Sequence, residues 1–360
     1  MIKRTIAAAV LVLSLAFTLP AVAQEGTPSL SSEAVGQTNS PAPSPNQIVA
    51  QAEPEEWVRI APEDLLVMTL APDAHGNARE VVIQLMPEPF SQGWVENIRT
   101  LAKAGWYDGT SINRVQDNYV VQWGDPDAED AAKAKPIPDG LNVMEEESYS
   151  VSGQEIAEYV NDFVKQEMAR TGQFPLSSVT ARETRWYEED PRDPYAKGIQ
   201  FVDGFPIGFS APFVSVGFSP LKFWPVHCYG MVGVGRGYSP DTGSGAELYA
   251  VIGHAPRHLD RNIALVGRVV EGIEHLSSLP RGKGDLGFYI GPEKRVPIES
   301  IRLASELPEA QQPSFEHLST ESETFARYAE ARANRRDPFF IQPAGGADIC
   351  NIPVPVRRMD

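Results

Sequence analysis

Histidine and cysteine residues in the second half of the chain have a spacing that could form a metal site. His254 and His258 lie four residues apart, and His227 and Cys228 precede them. Two histidines at this spacing bind zinc when one helical face presents both. Ala255-Pro256 lies between them, however, and proline disfavours a helix at this point. We therefore predict no metal at these residues.

Glycines in the segment 233–237, GVGRG, could form a phosphate-binding loop. The segment lacks the GxGxxG spacing of a dinucleotide loop, and turn-like residues follow it where such a loop needs a helix. The chain also has no GxSxG motif, which marks the nucleophile of many serine hydrolases. The sequence therefore predicts neither a nucleotide site nor a nucleophile of this type.

The spacing of apolar residues before residue 110 predicts a hairpin and a helix. Leu65–Leu70 and Val81–Met86 are β-rich runs on either side of a turn that contains glycine and asparagine. A helix is predicted over Ser91–Ala104, because its apolar residues fall on one face. Ser91 suits the N-cap of this helix, and Gly105 suits its C-terminal stop.

Six further runs have the length and composition of short β-strands. Many short strands separated by turns are typical of an antiparallel barrel or sandwich, so the fold class is predicted to be mainly β. The runs are Ser111–Val115, Tyr119–Trp123, Gly230–Gly235, Leu248–Ile252, Ile263–Val270 and Val296–Leu303.

Residues 127–226 interrupt this series of strands. They contain an amphipathic helix, predicted over about Gly153–Arg170, and then most of a stretch rich in Phe, Trp, Pro and Gly, residues 201–227. That stretch is too apolar for a free loop, so it either packs on the domain or lines a partner surface. After residue 305 we expect an acidic linker, a helix around Ser322–Arg336 and a proline-rich tail.

The N-terminus has the three parts of a secretory signal peptide. Two basic residues precede an apolar run, Ile6–Leu19, which is shorter than the ~20 residues that a membrane-spanning helix needs. Cleavage is predicted after Ala23, so that the mature chain begins at Gln24 in the periplasm without stable membrane insertion. Residues 24–58 are poor in large apolar side chains, which predicts a disordered linker.

The charge and the cysteines limit the partners and the compartment. The formal net charge of −17 argues against binding to nucleic acid or anionic lipid, since both need a basic face. In an oxidising compartment the two cysteines, Cys228 and Cys350, either pair or remain separate thiols. The sequence alone does not decide between these alternatives.

Four pieces of the chain, in order, resemble the cyclophilins. Residues 95–125 contain INRV and YVVQWGD, which are similar to that family's Phe-His-Arg-Val and Phe-Met-x-Gln-Gly-Gly-Asp strands. Residues 230–249 contain GMVGVGR and GAELY, similar to its Met-Ala-Asn and Gly-Ser-Gln-Phe-Phe strands. Residues 258–272 contain HLD and LVGRVVEG, and residues 296–303 match the closing strand. Each piece alone is a weak signal, but the ordered set is specific.

This resemblance implies an eight-stranded closed antiparallel barrel capped by two helices, with the site on its outer face. It implies cis–trans rotation of Xaa-Pro bonds in proline-containing polypeptides, without cofactor, metal or covalent intermediate. The barrier to this rotation, ~18–20 kcal/mol, comes from the resonance of the prolyl amide. A fixed cation that polarises the prolyl amide would lower it, and so would an apolar pocket that holds the proline ring.

The resemblance also implies roles for individual residues. Arg114 matches the catalytic arginine, whose rigid fork of donors lysine would not replace well, and Gln122 matches the glutamine that positions it. Gly235 and Arg236 align with residues that contact the substrate before proline, and Glu247 aligns with the substrate-binding glutamine of the strand that follows. The predicted proline pocket comprises Tyr119, Val120, Tyr249, His258 and Leu259.

Four positions depart from the family pattern. Asn113 replaces a histidine, Trp123 replaces a glycine, Glu247 replaces a glutamine, and Ile263 stands where the pocket histidine would be. An ion pair between Glu247 and Arg114 would compete with the substrate. These departures leave the rate and the substrate preference open.

The leading hypothesis is a periplasmic peptidyl-prolyl isomerase that acts on exported proteins. The alternative is a cyclophilin-fold binding module or chaperone of the cell envelope with weak or no turnover, which the altered pocket and the aromatic segment Phe201–Trp224 favour. The predicted organisation is a signal peptide over 1–23, a linker over 24–58, a cyclophilin-like domain over 59–305 with the 127–226 insertion, and a helical, Pro-rich extension over 306–360.

Overall fold

The computed structural model describes residues 41–157, 193–210 and 221–359, all within one compact unit, Pro41–Asp360. The predicted signal peptide and the linker before residue 41 lie outside the described residues. So do the part of the predicted helix after residue 157 and residues 211–220 of the aromatic stretch.

The described residues form short strands and a few helices. The strands are β1 (Trp57–Arg59), β2 (Leu65–Leu70), β3 (Arg79–Leu85), β4 (Ser111–Val115), β5 (Val120–Gly124), β6 (Val151–Ser152), β7 (Gly198–Val202), β8 (Phe205–Phe209), β9 (Lys222–Pro225), β10 (Met231–Val234), β11 (Leu248–Val251), β12 (Leu265–Glu271), β13 (Val296–Leu303), β14 (Phe315–Leu318) and β15 (Val356–Arg358). The helices are α1 (Pro45–Val49), α2 (Gln92–Lys103), α3 (Gly153–Ala157), α4 (Glu274–Ser277) and α5 (Glu323–Ala333).

Eight of these strands close into an antiparallel barrel in the order β10-β11-β5-β4-β13-β2-β3-β12. This confirms the predicted fold class, and the predicted strand limits differ from the observed ones by at most two residues. Alternation along each strand divides the side chains between two faces. On β5, Val121 and Trp123 join the main core, whereas Val120 belongs to a separate apolar cluster on the outer face.

Helix α2 covers the barrel with the apolar face predicted from the sequence. Trp94, Val95, Ile98, Leu101 and Ala102 are all buried. Ser91 occupies the N-cap position, but its φ of 56° is left-handed and its side chain makes no capping hydrogen bond, so the predicted capping is wrong. The second capping helix that the resemblance implies is reduced to a single turn, α4.

Two smaller sheets lie outside the barrel. Strands β1, β14 and β15 form one sheet, and β6, β9, β8 and β7 form the other. The expected linker is therefore wrong for its described part, because residues 41–58 contain α1 and most of β1, and Trp57 pairs with Leu318. The C-terminal extension contains two strands in addition to its predicted helix.

The described aromatic side chains of strands β7 to β9 pack inward. Strands β7 to β9 contribute a set that is almost fully buried: Phe201, Phe205, Phe209, Phe223 and Trp224. The described part of this stretch therefore packs on the domain, which was the first of the two predicted alternatives. The aromatic residues of this described part therefore do not favour a binding module.

A disulfide joins Cys228 and Cys350 across a sequence separation of 122, with the Cα atoms 5.0 Å apart. It connects the segment just before β10 to the C-terminal extension. The structure thus decides in favour of pairing, which the sequence left open. In the described residues, no helix is both long enough and apolar enough to cross a membrane.

Candidate active site

Four adjacent barrel strands present a row of residues on the outer face. Arg114 on β4 is opposite Gln122 on β5, Gln122 is opposite Tyr249 on β11, and Tyr249 is opposite Gly233 on β10. Directly opposite residues of antiparallel strands have neighbouring positions on one face. Gln122 therefore lies between Arg114 and Tyr249, which are far apart in the sequence.

A bulge in β4 turns Arg114 outward. The register of β4 against β5 shifts between Ile112 and Arg114, so Ile112 and Val115 both reach the core while Arg114 does not. The extra residue is Asn113, the position at which the family has histidine. Its amide accepts from the Ser111 hydroxyl at 2.7 Å and donates to the Gly124 carbonyl at 3.1 Å, which satisfies this buried side chain.

The Arg114 guanidinium is held by the protein on three sides. Nη1 donates to Gln122 Oε1 at 2.8 Å, Nε donates to the Leu286 carbonyl at 2.7 Å, and Nη2 donates to Gln116 Oε1. The rings of Tyr119 and Phe288 lie 5.8 and 5.6 Å from its central carbon. A guanidinium has five N–H donors, so this arrangement fixes its orientation and still leaves donors for a substrate.

Glu247 is bound to Gln122 and not to Arg114. Gln122 Nε2 donates to Glu247 Oε1 at 2.7 Å. Since a carboxylate accepts hydrogen bonds, this bond orients the amide with its oxygen toward Arg114. Arg114 and Glu247, both described, form no direct ion pair, so the expected competition with substrate through such a pair is wrong. Burial raises the pKa of Glu247, while the hydrogen bond from Gln122 acts in the opposite direction.

An apolar cluster lies beside this polar group on the same face. Val120, Tyr249 and Val251 form its buried centre, and Tyr119 and Ile263 pack against it. The ring of His258 stacks on Tyr119 with the centroids 6.2 Å apart. The structure therefore brings together four of the five predicted pocket residues. Ile263 occupies the position predicted to lack the pocket histidine.

Leu259 is the fifth predicted pocket residue, and it is partly buried in the turn Arg257–Leu259. Among the described side chains, those packed on the apolar cluster include Ile263 but not Leu259. The buried centre of the cluster offers little accessible surface, because Val120 is 2% exposed and Tyr249 is 4% exposed. The accessible part of the pocket consequently belongs to Tyr119, His258 and Ile263.

Gly235 and Arg236 form one rim of the site. The Arg236 guanidinium reaches across to the turn after His258, where Nε and Nη2 donate to the Asn262 carbonyl at 3.0 and 2.8 Å. A Cβ at Gly235 would lie 2.9 Å from Glu247 Oε2. Glycine at this position therefore leaves the room that the Glu247 carboxyl group occupies.

Behind the apolar cluster lies a buried chain of polar side chains, which we call the tyrosine network: Tyr249, His227, Asp260 and Arg257. The Tyr249 hydroxyl is 2.8 Å from His227 Nε2, and His227 Nδ1 is 2.9 Å from Asp260 Oδ1. Arg257 Nε donates to Asp260 Oδ2 at 2.7 Å. Sequence reasoning considered His227 only as a metal ligand and did not detect this network.

The charges of the tyrosine network compensate one another. His227 is 0% exposed and Asp260 is 3% exposed. Burial lowers the pKa of His227, which outweighs the opposing effect of Asp260. Burial also acts to lower the pKa of Arg257, but Asp260 and Asp193 raise it above its ordinary value. Asp260 thus lies between a histidine whose pKa is lowered and an arginine whose pKa is raised.

Other contacts of the site were not predicted from the sequence. Gln116 and Leu286 bind Arg114, and Phe288 flanks it. Leu286 and Phe288 are separated from Arg114 by more than 160 residues, and no motif links them. Among the described histidines, cysteines and acidic residues, no group of three is arranged to hold a metal ion.

A family model described as cyclophilin type peptidyl-prolyl cis-trans isomerase/CLD matches residues 74–303. The match covers more than half of the chain. The protein therefore belongs to the cyclophilin-type peptidyl-prolyl cis-trans isomerases, which confirms the resemblance found in the sequence and the enzyme class it implied.

Comparison with one solved structure supports the same fold. The cyclophilin AquaCyp293 from Hirschia baltica superposes with a TM-score of 0.59 at 22% identity, covering 84% of this chain and 93% of its own. A cyclophilin-type isomerase from Cryptosporidium parvum gives a TM-score of 0.32 at 11% identity, covering 67% of this chain and 96% of its own. No curated protein sequence matches the chain.

Proposed function

We propose that this protein accelerates cis–trans rotation of Xaa-Pro bonds in exported polypeptides, with Arg114 as its catalytic residue. The supporting observation is the row on the outer face of the barrel. A fixed guanidinium, the amide that orients it and an apolar cluster lie on adjacent strands within reach of a single prolyl peptide.

Arg114 would act through hydrogen bonding that strengthens as the bond turns. Rotation breaks amide resonance, so electron density returns to the prolyl nitrogen. A donor that meets this density stabilises the transition state more than the planar ground state. The bonds to Gln122, Gln116 and Leu286 hold the guanidinium in place before substrate arrives, which reduces the reorganisation needed at the barrier.

The apolar cluster would hold the proline ring while the preceding carbonyl turns. Tyr119, His258 and Ile263 offer the accessible surface, and Val120 and Tyr249 lie beneath them. Gly235, Arg236 and Glu247 form the neighbouring rim, which is suited to the residues before proline. No step in this mechanism calls for a cofactor or a covalent intermediate.

The test is isomerisation of a proline tetrapeptide by Arg114→Ala and Arg114→Lys. We expect the alanine variant to lose about 10²-fold or more in kcat/KM, as enzymes do when a transition-state donor is removed. The lysine variant keeps the positive charge but lacks the planar set of guanidinium donors, so its activity should be intermediate. Arg302→Ala is the matched control, because Arg302 is a partly exposed barrel arginine that binds Asp108. An unchanged rate in Arg114→Ala, or an equal loss in the control, would refute the role of Arg114.

Export to the periplasm is also part of the proposal. It is supported by the basic, apolar and small-residue segments at the N-terminus and by the disulfide, since disulfides persist mainly in oxidising compartments. Mass spectrometry of protein recovered from the periplasm of an expressing bacterium should show a chain that begins at Gln24. A retained N-terminus together with free thiols would contradict export.

A second candidate function is a binding module with weak turnover. It is favoured by one observation, that three Arg114 donors are already occupied by the chain itself. In that case a proline peptide would bind with a measurable Kd, and Arg114→Ala would leave the slow isomerisation rate unchanged. Titration and kinetics on the same peptide separate the two candidates.

A further inference from the structure

The floor of the apolar cluster is a tyrosine whose ring lies directly over a glycine. A Cβ at Gly233 would be 2.3 Å from both Cζ and Oη of Tyr249. That distance is shorter than any real contact, so glycine is needed for this ring position. The Tyr249 and His227 rings are nearly parallel, with the centroids 6.3 Å apart and the planes at 9°, and they are joined end to end through the tyrosine hydroxyl. The ring is thus confined by the glycine at one face and by His227 at its hydroxyl.

The hydrogen-bond pattern fixes the protonation of His227. Asp260 Oδ1 lies 2.9 Å from His227 Nδ1 and also accepts from the His227 backbone N–H at 3.0 Å. An ionised carboxylate only accepts, so the proton of neutral His227 resides on Nδ1. Nε2 is then an acceptor, and the Tyr249 hydroxyl donates to it at 2.8 Å.

We propose that His227 is a positioning residue of the proline pocket. By accepting a hydrogen bond from the Tyr249 hydroxyl, His227 fixes the tyrosine ring and holds the hydroxyl on the side away from the substrate. This inference rests on the proposed function, in which Tyr249 lies beneath the bound proline. It adds to that function His227, a residue outside the row on the outer face of the barrel, as a determinant of substrate affinity.

The physical need for such a residue follows from the hydroxyl. An unpaired hydroxyl in an apolar pocket costs free energy, and it would either retain a water molecule or turn toward the substrate. The bond to His227 satisfies the hydroxyl on the side away from the row. The remaining surface of Tyr249 is the apolar ring, which is the chemistry that a proline side chain requires.

His227 is in turn anchored by parts of the chain outside the barrel. Arg257 binds Asp260 and lies 2.8 Å from a carboxylate oxygen of Asp193, which belongs to the insertion. The residue after His227 is Cys228, which is covalently joined to the C-terminal extension at Cys350. The position of the pocket floor is therefore linked to both added segments.

A double-mutant cycle on the full-length protein tests this inference. The variants are His227→Leu, Tyr249→Phe and the combination of both. The readouts are the Kd of an Ala-Ala-Pro-Phe peptide by calorimetry, and kcat and KM for its isomerisation. We expect Kd and KM to rise about tenfold in His227→Leu, the equivalent of ~1.4 kcal/mol, with kcat within about twofold. Since both single variants break one hydrogen bond, the double variant should be no worse than His227→Leu.

Two further variants separate positioning from a general loss of structure. His227→Gln keeps an acceptor for the tyrosine hydroxyl, so it should restore most of the peptide affinity. His317→Gln alters another buried histidine, on β14 outside the barrel, and should lower the melting temperature without changing Kd. If His227→Leu fails to fold, Tyr249→Phe alone still tests the bond, with an expected rise in Kd of about threefold.

The outcomes distinguish this inference from the proposed function. Additive effects in the cycle, or an unchanged Kd in variants that fold, would overturn the role of His227 while wild-type turnover upheld the proposed function. A wild-type protein that neither binds nor isomerises the peptide would refute the proposed function itself. A coupled loss of affinity, rescued by glutamine, would establish His227 as a positioning residue.

Discussion

The two halves of the site are built in different ways. The arginine network comprises Arg114 on β4, Gln122 on β5 and Glu247 just before β11, and its two charged members are partly exposed to solvent. The tyrosine network begins on β11 but continues through side chains that are almost fully buried. It ends at Asp193 of the insertion.

This difference indicates which half tolerates change. In the arginine network water can replace a lost partner, so single substitutions there should act mainly on catalysis. In the tyrosine network a lost partner leaves a buried charge or polar group without compensation, which is costly. Stability and pocket shape should consequently depend on the tyrosine network, whereas turnover should depend on the arginine network.

The largest expected effect on stability is that of Asp260→Asn. It removes the more deeply buried of the two carboxylates that pair closely with Arg257, which is 4% exposed. Breaking a buried ion pair costs about 3–5 kcal/mol, and urea unfolding should show a loss of this size. Asp108→Asn is the control, because its bond to Arg302 is partly exposed and should contribute less than about 1 kcal/mol. Similar losses in the two variants would remove the contrast between buried and exposed charges.

A smaller effect on the free energy of unfolding is expected at acid pH. Burial lowers the pKa of His227, and burial also lowers the pKa of His317 to about 4. Below about pH 6.5 the unfolded chain binds protons on these histidines more readily than the folded protein does. Stability should therefore fall as the pH drops through this range, and the contribution of His317 to that loss should be about 1 kcal/mol at pH 5.5. Urea unfolding of wild type and His227→Gln at about pH 7.5 and 5.5 measures this, and an identical pH dependence in both would contradict it.

The smallest effect is expected from Glu247→Gln in the arginine network. Glutamine retains an oxygen that accepts from Gln122, so kcat/KM should change by less than about threefold. Burial raises the pKa of Glu247, which means that its ionised form opposes folding at neutral pH and its protonated form does not. The variant should be more stable by a few tenths of a kcal/mol at about pH 8 and unchanged at low pH. A loss of activity beyond tenfold would show that the carboxylate itself takes part in turnover.

Much of the barrel could be predicted because its signals are local. The hairpin β2–β3, helix α2 and strands β4 and β5 each have an apolar period that appears within a short window of sequence. The linker prediction was wrong for residues 41–58 because a polar composition indicates disorder only when no partner strand is available. Here β1 pairs with β14, more than 250 residues away.

The sequence by itself determined the family and the barrel strands and singled out Arg114 and Gln122 as candidate site residues, because those depend on residue types within short segments. Only the tertiary structure decided that Leu286 and Phe288 contact Arg114, that Cys228 pairs with Cys350 and that His227 binds Tyr249. These contacts join residues distant in sequence. They depend on where the closed barrel and the added segments place each side chain, which no local pattern specifies.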